Sequence, residues 1–219
     1  MTHQKRLPAP KHYPIQRKSY SYVATVKGSR SSEDAIPAVV LLREVLGYAD
    51  NEKEAKKIIK QGDLLRNGEE LKDIQQGVGV LDNVEIHAND EKYRVVRKGK
   101  YLRFIPIEDD RTVTKIVGKE VDGDSFLYRL HNGENYRTKD EYSTGNTLVF
   151  NDGVEEIDLE EGAEVLVTEG QHSGETGTLE EVHEEERKSD LGLVKENGEE
   201  FQTGIENLVA IKDDIRVTK

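Results

Sequence analysis

The sequence predicts an α+β protein built in pieces: an extended basic N-terminal arm, a small helix–hairpin domain, a central small β-barrel or sandwich, and a C-terminal β-barrel. Three observations predict it. Residues 41–86 read as two short helices leading into a tight hairpin. From about Tyr93 the period becomes that of strands, with turn signals at Asp122-Gly123, Asn132-Gly133 and Asp152-Gly153. Hydrophobic residues make up 34% of the 219 and charged residues 35%, which suits several small cores better than one large one. The pieces are expected to span 1–31, 32–92, 93–158 and 159–219.

The arm is extended because Pro8, Pro10 and Pro14 deny it a helix. His3, Lys5, Arg6, Lys11, His12, Arg17 and Lys18 alternate with Tyr13, Tyr20 and Tyr22. Basic groups pair with phosphates and tyrosines stack on bases, so the arm reads as a segment that orders on RNA. The plainer reading is a flexible tail whose charge is incidental.

The first helix of the next piece starts near Ser32 or Asp34, takes Pro37 in its first turn, buries Ile36, Val39, Val40 and Leu46, and ends around Gly47. Asn51 caps the second helix, with Glu54 at the capping-box position and Gly62 as the stop. Ala55, Ile58 and Ile59 form its apolar stripe. Lys53, Lys56, Lys57 and Lys60 fall at i, i+3, i+4 and i+7 and share a face, with Arg43 on the first helix directed toward it. Such a face is most often only solvated, but here it adjoins a basic arm and a hairpin bearing Arg66 before the Asn67-Gly68 turn, a pair suited to type I′ geometry. The order helix, basic helix, glycine, strand, turn, strand resembles the S-four-type RNA-binding fold, the αL motif, over about 46 residues.

Strands are expected at Thr112–Val121, Ser125–Leu130 and Asn146–Phe150. The start of this piece is basic, with Arg94, Arg97, Lys98, Lys100 and Arg103 among Tyr93, Tyr101 and Phe104. It reads either as a second RNA contact, through Arg97 and Lys98, or as a sheet edge protected by charge. In the last piece Gly162, Val165, Val167, Gly170, Gly174 and Gly177 form a Gly-x-x-Val-x-Val, Gly-x-x-x-Gly-x-x-Gly pattern. The valines share one strand face, and the glycines let the following loop turn and return. This resembles the KOW motif of ribosomal and transcription-elongation proteins, which implies an SH3-like barrel. Glu169 and Glu175 depart from the basic character common in that loop, so a protein-facing role stands beside an RNA-facing one. Asn197-Gly198 marks a further hairpin, and Leu208, Val209 and Ile211 close the barrel.

The opening His3-Gln4-Lys5-Arg6-Leu7-Pro8-Ala9-Pro10-Lys11-His12-Tyr13 resembles the signature of the archaeal and eukaryotic small-subunit ribosomal protein family S-four-e, and the likeness continues through Ile36–Arg43. That resemblance implies a structural component of the small (30S) ribosomal subunit. Its partners would be small-subunit ribosomal RNA and neighbouring ribosomal proteins, and its place the ribosome in the cytoplasm. It implies no catalysis, cofactor, metal or small-molecule substrate, and no homo-oligomer. The rival readings are a KOW-type transcription-elongation or other RNA-binding regulatory factor, and an RNA-modifying enzyme. The enzyme needs more apolar mass than residues 93–219 offer.

Charge bears on all of these. The net charge is −12, yet residues 1–32 carry +7, residues 33–150 carry −4 and residues 151–219 carry −15. A highly acidic body suits a halophilic archaeon, where the Debye length falls to about 3 Å and acidic surface scarcely repels a phosphate. The competing reading is that the acidic third faces a basic protein partner. There is no cysteine, which excludes disulfides and thiolate zinc sites. No apolar run reaches membrane-spanning length, and the start lacks the apolar core of a signal peptide. Gly77-Val78-Gly79 lacks the third glycine of a dinucleotide site, and Glu184-Glu185-Glu186 reads as solvated surface.

Overall fold

A computed structural model describes residues 3–183, 190–196, 198–212 and 214–217. The acidic run Glu184-Glu185-Glu186 and Asn197 lie outside these. The chain is mostly β, and it divides into two compact units: residues 1–95 with 100–110, and residues 96–99 with 111–219. Among the described residues no helix is long and apolar enough to cross a membrane.

In the first unit β1 (Ala35–Pro37) leads into α1 (Ala38–Val40), which widens into a π-helical turn, Leu41–Val45, where the Leu46 amide donates to Leu41 O (3.0 Å). The helix expected from Ser32 or Asp34 therefore starts later. Ala35–Pro37 is instead a strand, antiparallel to β4 (Gly77–Gly79). An unbroken apolar run does not by itself distinguish strand from helix, and the distant partner decided.

The second helix, α2 (Glu52–Gln61), forms as its local signals require. Asn51 Oδ1 accepts from the amides of Lys53 (3.0 Å) and Glu54 (3.1 Å), Glu54 returns a carboxylate to the Asp50 amide, and Gly62 closes the helix at φ +79°. A five-stranded sheet follows, built from β2 (Leu64–Arg66), β3 (Glu69–Glu70), β5 (Asn83–Ile86), β6 (Glu91–Lys98) and β7 (Tyr101–Pro106), in the order β3-β2-β5-β6-β7. Asn67 (φ +53°) and Gly68 (φ +79°) make the turn between β2 and β3 in the left-handed geometry that an Asn-Gly pair favours.

The second unit holds two five-stranded sheets. One is ordered β10 (Asn135–Thr138), β9 (Ser125–Leu130), β8 (Thr112–Asp122), β11 (Thr147–Phe150), β12 (Val154–Ile157). Its long strand β8 carries a bulge between Ile116 and Gly118, pairing with β11 before it and β9 after it. The bulge bends the strand over a core of Ile116, Tyr128, Leu130 and Leu148. The other sheet is ordered β16 (Glu199–Gly204), β15 (Leu191–Glu196), β14 (Thr176–His183), β13 (Glu164–Val167), β17 (Leu208–Ala210). Val165 and Val167 point together into a core with Leu179, Val194 and Leu208. Lys115, from β8, is buried and donates to the carbonyls of Ile205 (2.8 Å), Glu206 (3.1 Å) and Leu208 (2.6 Å). Burial pushes its ammonium down, to about 8.

Candidate nucleic-acid interface

Residues 3–31 do not run out as an extended strand. They fold back: the Arg6 amide donates to Ser21 O (3.0 Å), the Val23 amide to Gln4 O (3.1 Å), and Lys5 bridges Tyr22. Three arginines hold this loop. Arg6, fully buried, donates from Nε to Gln16 O (2.6 Å) and pairs through Nη2 with Glu44 (2.7 Å). Arg17 ties Ala9 O (2.6 Å) and Pro10 O (2.9 Å). Arg30 binds Asp82 through Nε (3.0 Å) and Nη2 (2.6 Å), and Val80 O (2.8 Å). His12 is buried beside Tyr13, and its Nε2–H donates to Ala35 O (3.0 Å).

These groups therefore sort by type. Arg6 and Arg30 are buried and Arg17 half-buried, each bound to protein oxygen, while Lys5, Lys11, Lys18 and Lys27 are all exposed. The division follows the chemistry, because a guanidinium's planar fork satisfies several acceptors at once and sheds water more readily than an ammonium. Of the arm residues expected at the interface, Arg6, Arg17 and His12 are engaged within the fold, and Lys5, Lys11 and Lys18 are exposed.

Burial pushes the Glu44 carboxyl up, but hydrogen bonds and charges from Arg6 and Arg43 overcome it and leave it below the usual carboxylate range. The same balance holds at Asp82, where burial is outweighed by Arg30, Arg66 and the Gly79 amide (2.8 Å). The close approach of Arg30 also explains Gly77 and Gly79. A Cβ at Gly77 would lie 2.7 Å from Val26 and 2.8 Å from Arg30, and one at Gly79 would lie 2.9 Å from Asp34 O.

Once folded, the loop faces α2 across a cavity of about 800 Å³. Tyr22, Val23 and Lys27 stand on the loop side, Arg43, Lys56 and Lys60 on the helical side, and Lys72 on the segment after β3. Five cations line it against Glu52 and Asp73. Turning 100° per residue, Lys56 and Lys60 sit nearest Ile59 and so face the cavity, while Lys53 and Lys57 lie farther round on the solvated side. Lys56 also meets Glu52 (2.7 Å), an exposed pair that contributes little. Arg66 reaches Gly77 O (2.8 Å) and so works mainly within the unit.

Lys27 and Lys72 were not among the residues the sequence singled out. Their signal is not local: the Lys27 amide donates to Gln75 O (2.7 Å), which brings two segments 48 positions apart into one wall.

In the second unit the glycine loop turns as its spacing requires, with Gly162, Gly170 and Gly174 at φ +88°, +91° and +88°. It does not stand free. The Ser173 hydroxyl donates to Gly99 O (2.8 Å), and the Gly99 amide donates to Ser173 O (3.1 Å). A Cβ at Gly174 would lie 2.1 Å from Arg97 O, and one at Gly177 2.5 Å from Lys195 O. Arg97 also meets Glu169 (3.4 Å), so an acid that weakened the case for phosphate contact has a partner in this chain. Of the expected pair Arg97 and Lys98, only Lys98 is exposed.

No family model matches the chain. Relatives do match along most of it. A small ribosomal subunit protein eS4 of Natronomonas pharaonis is 33% identical over 97% of this chain and 95% of its own length. That of Haloarcula marismortui is 33% identical over 97% and 96%, and that of Archaeoglobus fulgidus 35% identical over 95% and 92%. Among solved structures, the 30S ribosomal protein S4e from Thermoplasma acidophilum matches with a TM-score of 0.69 at 23% identity, covering 83% of this chain and 96% of that one, a likeness of fold. With a third of its residues shared along nearly its whole length, the chain belongs to the family of small ribosomal subunit protein eS4.

Proposed function

We propose that this chain is a structural protein of the small ribosomal subunit, holding ribosomal RNA and adjoining ribosomal proteins, in the cytoplasm and without catalysis. Family membership supports the setting. The observation that carries the RNA reading is the cavity between the folded arm and α2, where five cations gather in a chain of net charge −12. An RNA backbone is the natural counterpart of such a concentration of ammonium and guanidinium groups. The exposed Lys5, Lys11 and Lys18 extend the same positive surface along the arm, and Lys53 and Lys57 extend it along the helix.

The layout we favour is a basic arm, an S-four-type αL module over 32–92, a central β module, and a KOW-type SH3-like module at the C-terminus. The ties from Ser173 and Gly174 to 97–99 favour a KOW loop that serves its own chain, leaving RNA contact to the first 72 residues. A transcription-elongation role is not favoured, since the relatives are ribosomal along their whole length.

The test is a sucrose gradient of cell extract at native salt. The protein should sediment with small subunits, and the Lys56→Glu, Lys60→Glu double variant should fall largely to the top. Co-sedimentation with RNA polymerase instead would sink the proposal, and unchanged incorporation of the double variant would remove α2 from the interface.

A further inference from the structure

The cavity has two features that phosphate binding alone does not require. Its floor is apolar, made by Val39, Val40 and Ile59 with Ile74 beside them. At its rim stands Tyr22, 58% exposed, whose ring, among the described residues, makes a tilted contact with His3 (centroids 5.6 Å apart, 58°). Tyr20 is different, since the guanidinium groups of Arg6 and Arg43 already sit 5.4 Å and 5.8 Å from its ring centre. Among the described residues lining the cavity, Tyr22 is thus a largely exposed aromatic ring.

Shape excludes one kind of occupant. The outside of an RNA duplex is convex, with its bases paired inward, and it presents ribose and phosphate to a protein. It can rest across a row of lysines but cannot fill a recess. An unpaired strand can, because its bases splay out, stack on aromatic rings and pack on apolar surface while the phosphates stay at the rim.

We propose that this recess takes an unpaired segment of RNA, one base lying over the Val39–Ile59 floor against Tyr22, with flanking phosphates on Lys27, Lys60 and Lys72. The inference rests on the RNA-binding reading above and narrows it from RNA in general to a single-stranded element. The cations supply affinity that falls with salt, and Tyr22 supplies a contact that salt leaves largely intact.

The test uses the full-length protein and a fluorescently labelled mixed-sequence RNA of about eight nucleotides, free or annealed to its complement, read by anisotropy at one fixed salt concentration. The free strand should bind about tenfold more tightly than the duplex, and Tyr22→Ala should remove about tenfold of that affinity. Tyr22→Phe should retain it, which marks stacking rather than the hydroxyl. Lys60→Glu should weaken both forms. Equal binding of strand and duplex, an unaffected Tyr22→Ala variant, or tighter binding of a poly-glutamate peptide than of the free strand would each overturn the inference. The peptide result would instead point to an acidic protein partner. If the chain sediments with small subunits while any of these occurs, the recess assignment falls alone. If it leaves the small-subunit peak, the ribosomal reading falls, and this inference with it.

Discussion

Replacing Arg30 by alanine should strongly destabilise the first unit. The side chain gives Asp82 two hydrogen-bonded contacts, at 3.0 Å and 2.6 Å, and Val80 O a third, all buried. Removing one member of a buried ion pair typically costs about 3–5 kcal/mol, because the other charge stays behind. Asp82 would keep the Gly79 amide (2.8 Å), the Asn67 side-chain amide (2.9 Å) and the nearby charge of Arg66, which sets the expected loss at about 3 kcal/mol. At a urea slope of about 2 kcal/mol/M that moves the midpoint down by about 1.5 M.

Hydrogen exchange across a urea series, followed in peptides covering 64–86, reads this locally. The difference should also depend on pH. In the wild type Asp82 is held below its ordinary value, so its contribution is present above about pH 4 and fades as pH falls through the folded value. In the variant, burial acts with fewer opposing contacts and the carboxyl titrates higher. The gap between the two proteins should therefore narrow in acid. A gap below about 1 kcal/mol at neutral pH, or one that does not narrow below about pH 4, would refute the assignment of Arg30 as the clasp.

Two further changes probe the second unit. Gly174→Ala puts a methyl 2.1 Å from Arg97 O at φ +88°, whereas Gly170→Ala, at φ +91°, meets open space. Thermal melts should show only the strain of about 1–2 kcal/mol at Gly170 and at least twice that at Gly174; equal losses would mean the loop does not clasp residues 97–99. Lys115→Met removes the donor from three carbonyls and should cost about 2–3 kcal/mol by urea titration, with a neutral result disproving the tie between β8 and the last strand.

What the sequence showed of this molecule was whatever local geometry decides. Asn51 with Glu54, Gly62, and Asn67-Gly68 each fix their element through residues at most four positions apart, and each is found as expected. Val165 and Val167 likewise follow from strand alternation. The fold of the arm was hidden because its restraints are distant: Arg6 meets Glu44 at a separation of 38 residues and Arg30 meets Asp82 at 52. Counted as a charge, Arg6 looks like a ligand contact, and only its partners show that it is internal. The same holds for Gly174, which a turn would explain but which a neighbouring carbonyl actually requires. Lys27 and Lys72 were missed because neither belongs to a periodic pattern, and only the fold brings them to the recess.

The sorting of arginines inward and lysines outward makes two parts of the arm respond differently to ions in the medium. The guanidinium groups of Arg6 and Arg30, buried among carbonyls and carboxylates, are out of reach of mobile counter-ions, so the loop should keep its shape even in concentrated brine. The ammonium groups outside are fully subject to those ions, and their hold on a polyanion should weaken as the medium strengthens. Strong salt should thus loosen any polyanion bound to the lysines without unfolding the loop, and exchange of Arg6 or Arg30 for lysine should weaken that separation while leaving the formal charge untouched.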